Sequence, residues 1–288
     1  MMKNFADLED KYCAFESSSV VLQSIPYDGT STWGKGADQA FPAFLTAAEN
    51  MELYDIETDS KVYREGIHIL PEICENASSE AMVAAVYHTT REILNTGKFP
   101  TFFGGEHSVS IGIIRAFREM YPDLTVLQLD AHADLRPEYA GTPYNHACAL
   151  HEASQTTNLI QVGIRSMDTS ELPYLNRQKC FFAEQIHNQT DWMAQSIALM
   201  HGPVYVTIDL DVFDPSIMPS TGTPEPGGLD WYTVTRYLRR VFDNQMIVGF
   251  DITELAPQPE QKAPDFLTAK LYYKLLSYYF SRAEKHVG

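Results

Sequence analysis

Apolar residues along the chain form short, nearly continuous runs that alternate with longer stretches of helical periodicity. The short runs lie at 20–25, 100–103, 124–129, 159–164, 180–182, 204–208 and 246–252. Strands that are buried on both faces, as in a parallel sheet covered by helices, have this composition. The longer stretches predict helices over 79–96, 108–121, 192–200, 231–242 and 264–282. Ser78 or Ser79 can cap the first of these helices.

The alternation of strands with helical stretches predicts the α/β fold class. We expect a single three-layer α/β/α domain that spans residues 1–288 and contains a mostly parallel sheet of about eight strands. No internal repeat or low-complexity linker divides the chain.

Polar clusters follow immediately after four of the predicted strands, at 104–107, 130–134, 209–214 and 253–254. Ligands of open parallel sheets bind at the carboxyl ends of the strands. We therefore expect four separate strands to deliver these polar groups to one crevice.

Two of these clusters alternate polar residues with small or apolar ones. Asp130, His132 and Asp134 alternate in the first, and Asp209 and Asp211 in the second. If extended geometry continued, the members of each set would point the same way. Four carboxylates in an apolar crevice are costly without counter-charge, which two divalent cations would supply. A single aspartate after a strand is more often a turn or helix cap, so this prediction depends on the combination.

The formal net charge of -17 excludes several classes of partner. It would repel nucleic acid phosphates and anionic membrane surfaces, but it can attract a cationic substrate. The chain has no run near the roughly 20 apolar residues of a membrane span, and its first residues do not resemble a secretory signal. The 4 cysteines form no CxxC pair. We expect a soluble, cytoplasmic protein with reduced thiols.

Taken together and in order, these motifs resemble the ureohydrolase family, which includes arginase, agmatinase and formimidoylglutamase. The matching segments are GGEHS at 104–108, DAHAD at 130–134 and DLDVFDP at 209–215, with weaker matches at 25–29, 222–228 and 250–255. The resemblance spans nearly the whole chain and implies an arginase-like architecture with two Mn²⁺ ions. Two histidines among four carboxylates form a hard donor set that suits manganese.

The resemblance also implies how six ligands share the two ions. One ion would be bound by His107 and Asp134, the other by His132 and Asp211, and both would be bridged by Asp130 and Asp209. A water between two such ions loses a proton near neutral pH. The resulting hydroxide would attack the central carbon of a guanidinium group.

Four residues match positions of the family that act on the substrate. Glu254 corresponds to the family's guanidinium-binding glutamate, and a carboxylate can accept the parallel N–H pair of a planar guanidinium. His146 corresponds to the proton-transfer histidine. Asp134 would also hydrogen-bond the nucleophile, and Asp168 would approach the substrate amine. All four roles are implied by the resemblance.

The interval 135–145 resembles agmatinases more than arginases, whose corresponding loop is rich in Asn, Thr and Ser. The expected reaction is therefore cleavage of agmatine, a small cationic guanidinium compound, to putrescine and urea. Residues 33–36, Asn145 and His151 depart from the usual agmatinase pattern, which leaves guanidinobutyrate, arginine and formimidoylglutamate open as substrates. Family relatives form trimers or hexamers, so we expect a homo-oligomer.

Two other classes stay open at this point. Metal-dependent deacetylases share the arginase-like architecture, but their site has fewer carboxylates around a single zinc. A catalytically silent family member could serve as a binding or regulatory subunit. All six ligand positions and Glu254 are present, which favours an enzyme.

Overall fold

The computed structural model describes residues 4–285, and eight strands in this range form one sheet. The strands are β1 (Val20–Ile25), β2 (Ile67–Ile69), β3 (Phe99–Gly104), β4 (Thr125–Leu129), β5 (Asn158–Val162), β6 (Cys180–Phe181), β7 (Pro203–Asp209) and β8 (Met246–Thr253). Their spatial order is β2-β1-β3-β8-β7-β4-β5-β6, and every neighbouring pair is parallel.

Helices connect the strands and cover both faces of the sheet. They are α1 (Ala40–Ala48), α2 (Ser79–Leu94), α3 (Val109–Met120), α4 (His151–Thr156), α5 (Ala183–Ile186), α6 (Asp191–Ala198), α7 (Trp231–Asn244) and α8 (Ala263–Lys285). Helices α1, α6, α7 and α8 pack on one face, and α2, α3 and α4 on the other, each over its own apolar core. The single three-layer α/β/α domain predicted from the sequence is confirmed. No helix within residues 4–285 combines the length and apolarity needed to cross a membrane.

All seven predicted strands and all five predicted helices occur within a few residues of their expected bounds. Ser78 is the cap of α2, because its Oγ accepts the N–H of Ala81 at 3.1 Å. The sequence patterns did not predict β2, α1, α4 or α5. Three of these are too short to show a periodicity. α1 contains Pro42, and a proline usually argues against a helix, although the first turn of a helix tolerates it.

The order of the central strands decides where the site forms. Strands β3, β8, β7 and β4 are consecutive neighbours, so the four polar clusters that follow them leave the sheet at adjacent points of one edge. The chain after β3 turns at Gly105, where a Cβ atom would lie 1.9 Å from the carbonyl oxygen of Tyr27. Only glycine fits this close approach, which lets the next residues turn into the crevice.

Candidate metal centre and active site

The first of two groups of metal-binding side chains surrounds His107, which follows β3. Its Nδ1 atom lies 3.1 Å from Asp130 Oδ2, 3.0 Å from Asp134 Oδ2 and 3.5 Å from Asp209 Oδ2. All four side chains are buried. Three strands, β3, β4 and β7, therefore deliver donors to one point.

The second group surrounds His132. Its Nδ1 atom lies 2.8 Å from Asp211 Oδ2 and 3.7 Å from Asp130 Oδ1. Asp130 belongs to both groups, with Oδ2 facing His107 and Oδ1 facing His132. A carboxylate shared in this way is suited to bridge two ions. Asp209 lies beside His107, and its Oδ1 accepts the N–H of Asp211 at 2.9 Å.

The convergence of Asp130, His132 and Asp134 does not arise from continued extended geometry. β4 ends at Leu129, and the chain then turns, with Asp130 Oδ1 accepting the N–H of His132 at 2.6 Å. Asp134 has a φ of 54°, in the left-handed region that non-glycine residues seldom adopt. Strained backbone of this kind recurs at functional sites, where the surrounding structure holds it in place.

The carboxylates strongly perturb one another. Burial and the negative charges of Asp211 and Asp134 together raise the pKa of Asp130 to about 7. Burial and the same kind of repulsion raise the pKa of Asp209 well above its usual range. Burial alone would lower the pKa of His132, but the charge of Asp211 outweighs it and raises the pKa to about 10. Without cations, this cluster therefore retains protons.

The hydrogen bonds of His107 fit a metal ion. Its Nε2 lies 2.9 Å from Thr207 Oγ1, whose hydroxyl donates to Asp251 Oδ1 at 2.7 Å. Since that hydroxyl is already a donor, it accepts the Nε2–H of His107, and Nδ1 is left to face the carboxylates. Burial lowers the pKa of His107, but Asp130 and Asp134 outweigh it and raise the pKa well above its usual range, so the lone pair of Nδ1 is exposed only when a cation displaces that proton. Within the described part of the chain Nδ1 makes no hydrogen bond. A cation between Nδ1 and the surrounding oxygens satisfies all of them, as histidine ligands with an oriented second nitrogen do.

Glu254 lies beside this cluster, directly after β8. It is buried, and its Oε1 accepts the backbone N–H of His107 at 2.8 Å. Its φ of 68° is again left-handed, which turns the side chain back into the crevice. A Cβ at position 222 would lie 3.0 Å from Glu254 Oε2, so Gly222 leaves room beside the second carboxylate oxygen. Glu254 lines a cavity of about 230 Å³.

The cavity is lined by most of the residues that the sequence singled out, including His132, Asp134, His146, Asp168, Asp209 and Glu254. His146 lies on a short 3-10 turn, with its ring edge-on to Tyr139 at a centroid distance of 6.2 Å. Asp168 lies at the rim, where Oδ1 accepts from Ser170 and Oδ2 is 3.9 Å from a guanidinium nitrogen of Arg136. His146 and Asp168 are therefore in the same cavity as the metal groups.

Several residues of the site were not predicted from the sequence. Thr30 and Thr207 hold the rings of His146 and His107, and Glu225 Oε1 lies 3.9 Å from His132 Nε2. Thr30 and Thr207 are ordinary polar residues in the sequence, and no spacing marks them. Cys148, two residues after His146, is buried, and burial raises the pKa of its thiol to about 12, so it is a packing residue and not a nucleophile.

Comparison with known proteins agrees with this geometry. The sequence profile of the arginase family matches residues 18–278. The N(1)-aminopropylagmatine ureohydrolase of Synechocystis is 33% identical over 92% of this chain and 90% of that protein. The agmatinase of Pyrococcus horikoshii is 28% identical over 94% of this chain and 95% of its own.

A solved structure supports the same assignment. The agmatine ureohydrolase of Thermoplasma volcanium superimposes with a TM-score of 0.89 and 28% sequence identity, covering 99% of this chain and 97% of that one. The match extends over the whole sheet and all the strand ends that carry the site. The chain belongs to the arginase family and is a hydrolase of its ureohydrolase type.

Proposed function

We propose that the protein is a binuclear manganese enzyme that hydrolyses agmatine to putrescine and urea. One observation carries this proposal: two histidine–carboxylate groups share Asp130, and the buried carboxylate of Glu254 opens into the same cavity. A deacetylase with a single zinc needs only one such group. A silent subunit does not need both groups together with Glu254.

The proposed ligands follow the two groups. His107 and Asp134 would hold one ion, and His132 and Asp211 would hold the other. Asp130, which belongs to both groups, would be shared between them, and Asp209, 3.5 Å from His107, would be the second shared ligand. The donor set of carboxylate oxygens and imidazole nitrogens contains no thiolate, which supports manganese over zinc.

Two divalent cations, when bound, acidify a water molecule and so supply a nucleophile at neutral pH. Glu254 accepts the guanidinium N–H bonds on its free Oε2 and holds the central carbon over the cluster. Asp134 orients the attacking water by accepting a hydrogen bond from it. His146, across the cavity, gives a proton to the leaving amine nitrogen as the C–N bond breaks, so that neutral amine departs. The hydroxyl proton that came from the attacking water passes to Asp134 as the carbonyl group of urea forms.

The substrate tail would extend toward the rim of the cavity. Asp168 can meet the ammonium group of agmatine, and Glu225 is a second carboxylate near the opening. Because the Synechocystis relative is named for N(1)-aminopropylagmatine, a longer polyamine tail is a second candidate substrate. Arg136 also lines the cavity, and it favours a carboxylate tail such as that of guanidinobutyrate.

The test is urea release from agmatine, N(1)-aminopropylagmatine, arginine and guanidinobutyrate after manganese loading, with formamide release from formimidoylglutamate followed in parallel. The Asp130→Ala variant serves as the control, because it removes the shared ligand. We expect agmatine to be the best substrate. Turnover of another guanidinium compound would correct the tail assignment, and no turnover despite two bound ions would overturn the proposal.

Three further predictions accompany this proposal. The whole of residues 1–288 is expected to act as one ureohydrolase unit, to form trimers or hexamers and to work in the cytoplasm. Light scattering of the purified protein would measure the number of subunits.

A further inference from the structure

Thr30, in the loop after β1, connects two residues that the sequence places far apart. Its Oγ1 donates to Glu106 Oε1 at 2.7 Å, and its backbone N–H donates to the same oxygen at 3.1 Å. The same Oγ1 accepts the backbone N–H of His146 at 3.0 Å and lies 3.1 Å from His146 Nδ1. One hydroxyl thus joins a buried carboxylate to the backbone and ring of the proposed proton-transfer histidine.

The number of hydrogen bonds that the Thr30 hydroxyl makes determines which of them it donates and which it accepts. A hydroxyl group has one proton to donate and two lone pairs to accept with. The proton of Thr30 is directed to Glu106, whose Oε2 also accepts the N–H of Ser108 at 2.7 Å. Both lone pairs then face His146, so Nδ1 must carry a hydrogen and donate it. The neutral ring is left with Nε2 as its proton-accepting atom.

We infer that Thr30, held by Glu106, is a positioning residue that sets the tautomer and orientation of His146. This inference rests on the proposed function for its catalytic consequence, but the tautomer itself does not depend on the substrate. The carboxylate is completely buried and comes from the loop after β3, next to the metal ligand His107. The proton-transfer histidine and the metal centre are therefore held by the same loop.

The arrangement has a defined role in the proton transfer. The protonated ring donates its Nε2 proton to the leaving nitrogen, which takes the electron pair of the breaking C–N bond. The ring returns to the neutral form that retains the Nδ1 hydrogen on Thr30. If the neutral ring carried its hydrogen on Nε2 instead, Nε2 could not accept the proton that it must donate in the next turnover. For this reason, residues that fix the tautomer of a catalytic histidine matter for catalysis.

The matched variants are Thr30→Val, which keeps the shape and removes the hydroxyl, and Thr30→Ser, which keeps the hydroxyl. With agmatine and the manganese-loaded enzyme, Thr30→Val should lower kcat about 10- to 100-fold, a part of what general acid–base catalysis contributes. KM and the number of bound metal ions should stay the same, and Thr30→Ser should restore most of kcat. In a His146→Ala background, Thr30→Val should change kcat less than about twofold, because coupled residues are not additive.

Nitrogen-15 NMR of histidine-labelled, metal-free protein gives a readout that needs no substrate. The His146 signals, assigned with His146→Ala, should show the hydrogen on Nδ1 in the wild type and lose this preference in Thr30→Val. Hydrogen on Nε2 in the wild-type neutral ring would overturn the inference whatever the substrate is. If the tautomer is as expected but no guanidinium compound is hydrolysed, the proposed function fails while the positioning role stands.

Discussion

The floor and the rim of the cavity differ in how firmly their polar groups are held. At the floor, Asp130, Asp209 and Glu254 are buried, follow central strands and accept backbone or side-chain hydrogen bonds. At the rim, the side chain of Asp168 is 43% exposed and that of Glu225 is 37% exposed. Trp33, on the neighbouring loop, is 83% exposed. The floor is fixed by the sheet, whereas the rim is made of loops.

This difference separates reaction type from substrate choice. Groups at the ends of packed strands keep their positions because the core cannot rearrange without loss of packing. The exposed and half-buried loop residues at 31–36, 136–144 and 223–226 can change with little cost to the core. Relatives with the same floor can therefore act on guanidinium compounds with different tails. Changes at the floor should accordingly have larger effects than changes at the rim.

The largest effect is expected from Asp209→Asn at the floor. Asparagine cannot carry the negative charge that two cations require, so metal analysis should show that at least one ion per chain is lost. Urea release should fall on the order of 10³-fold, beyond the 10- to 100-fold typical of outer-shell residues. The comparison variant is Asp214→Asn in the same segment, whose side chain accepts from Ser216 and Gly228 instead of facing the cluster. If both variants lost bound metal and urea release to the same extent, a specific metal-binding role for Asp209 would be contradicted.

The next effect concerns pH. In the metal-free protein the pKa of His132 is raised to about 10 and that of Asp130 to about 7, and a cation must displace these protons. Protons held more tightly at low pH compete with the metal, so the apparent affinity for manganese should rise with pH. The expected rise between pH 6 and 8 is roughly 1000-fold, because the His132 proton contributes about tenfold per pH unit over the whole interval and the Asp130 proton contributes about tenfold in total. Calorimetry in two buffers of different ionisation enthalpy would measure the protons released, and an affinity independent of pH would contradict the prediction.

A smaller effect is expected from Glu254→Gln, at the boundary between floor and tail. Glutamine can still accept the N–H of His107 through its amide oxygen, but its NH₂ group would face the guanidinium. We expect kcat/KM for agmatine to fall about 30-fold, or about 2 kcal/mol, as for the loss of one charged hydrogen bond. Steady-state kinetics would measure this, with metal content checked in parallel. If the Glu254→Gln variant had the wild-type kcat/KM for agmatine, Glu254 would not be a substrate-binding residue.

The difference between packed strands and irregular loops also explains which parts of the site could be predicted from the sequence. Buried parallel strands are continuously apolar, so β4, β7 and β8 were predicted, and the polar residues after them marked the edge of the sheet. The two-residue alternation did not reveal the turn after Leu129 or the left-handed backbone of Asp134. Such conformations arise from long-range hydrogen bonds that only the folded chain brings together. Thr30 and Thr207 were missed for the same reason, because their partners lie 76 or more and 44 or more positions away.

The smallest effect is expected at the rim, from Asp168→Asn. Its carboxylate is exposed, accepts from Ser170 and lies near Arg136, so solvent and a neighbouring cation weaken its attraction for the substrate ammonium. We expect kcat/KM for agmatine to fall only about two- to fivefold, the range of exposed ion pairs. Butylguanidine, which has the same guanidinium and a neutral tail, should be hydrolysed equally by both proteins. Asp191→Asn, an exposed aspartate at the start of α6, is the matched control. If Asp168→Asn leaves agmatine unaffected while Glu225→Gln lowers its kcat/KM selectively, the tail binds on the other side of the opening, and the rim assignment moves to Glu225.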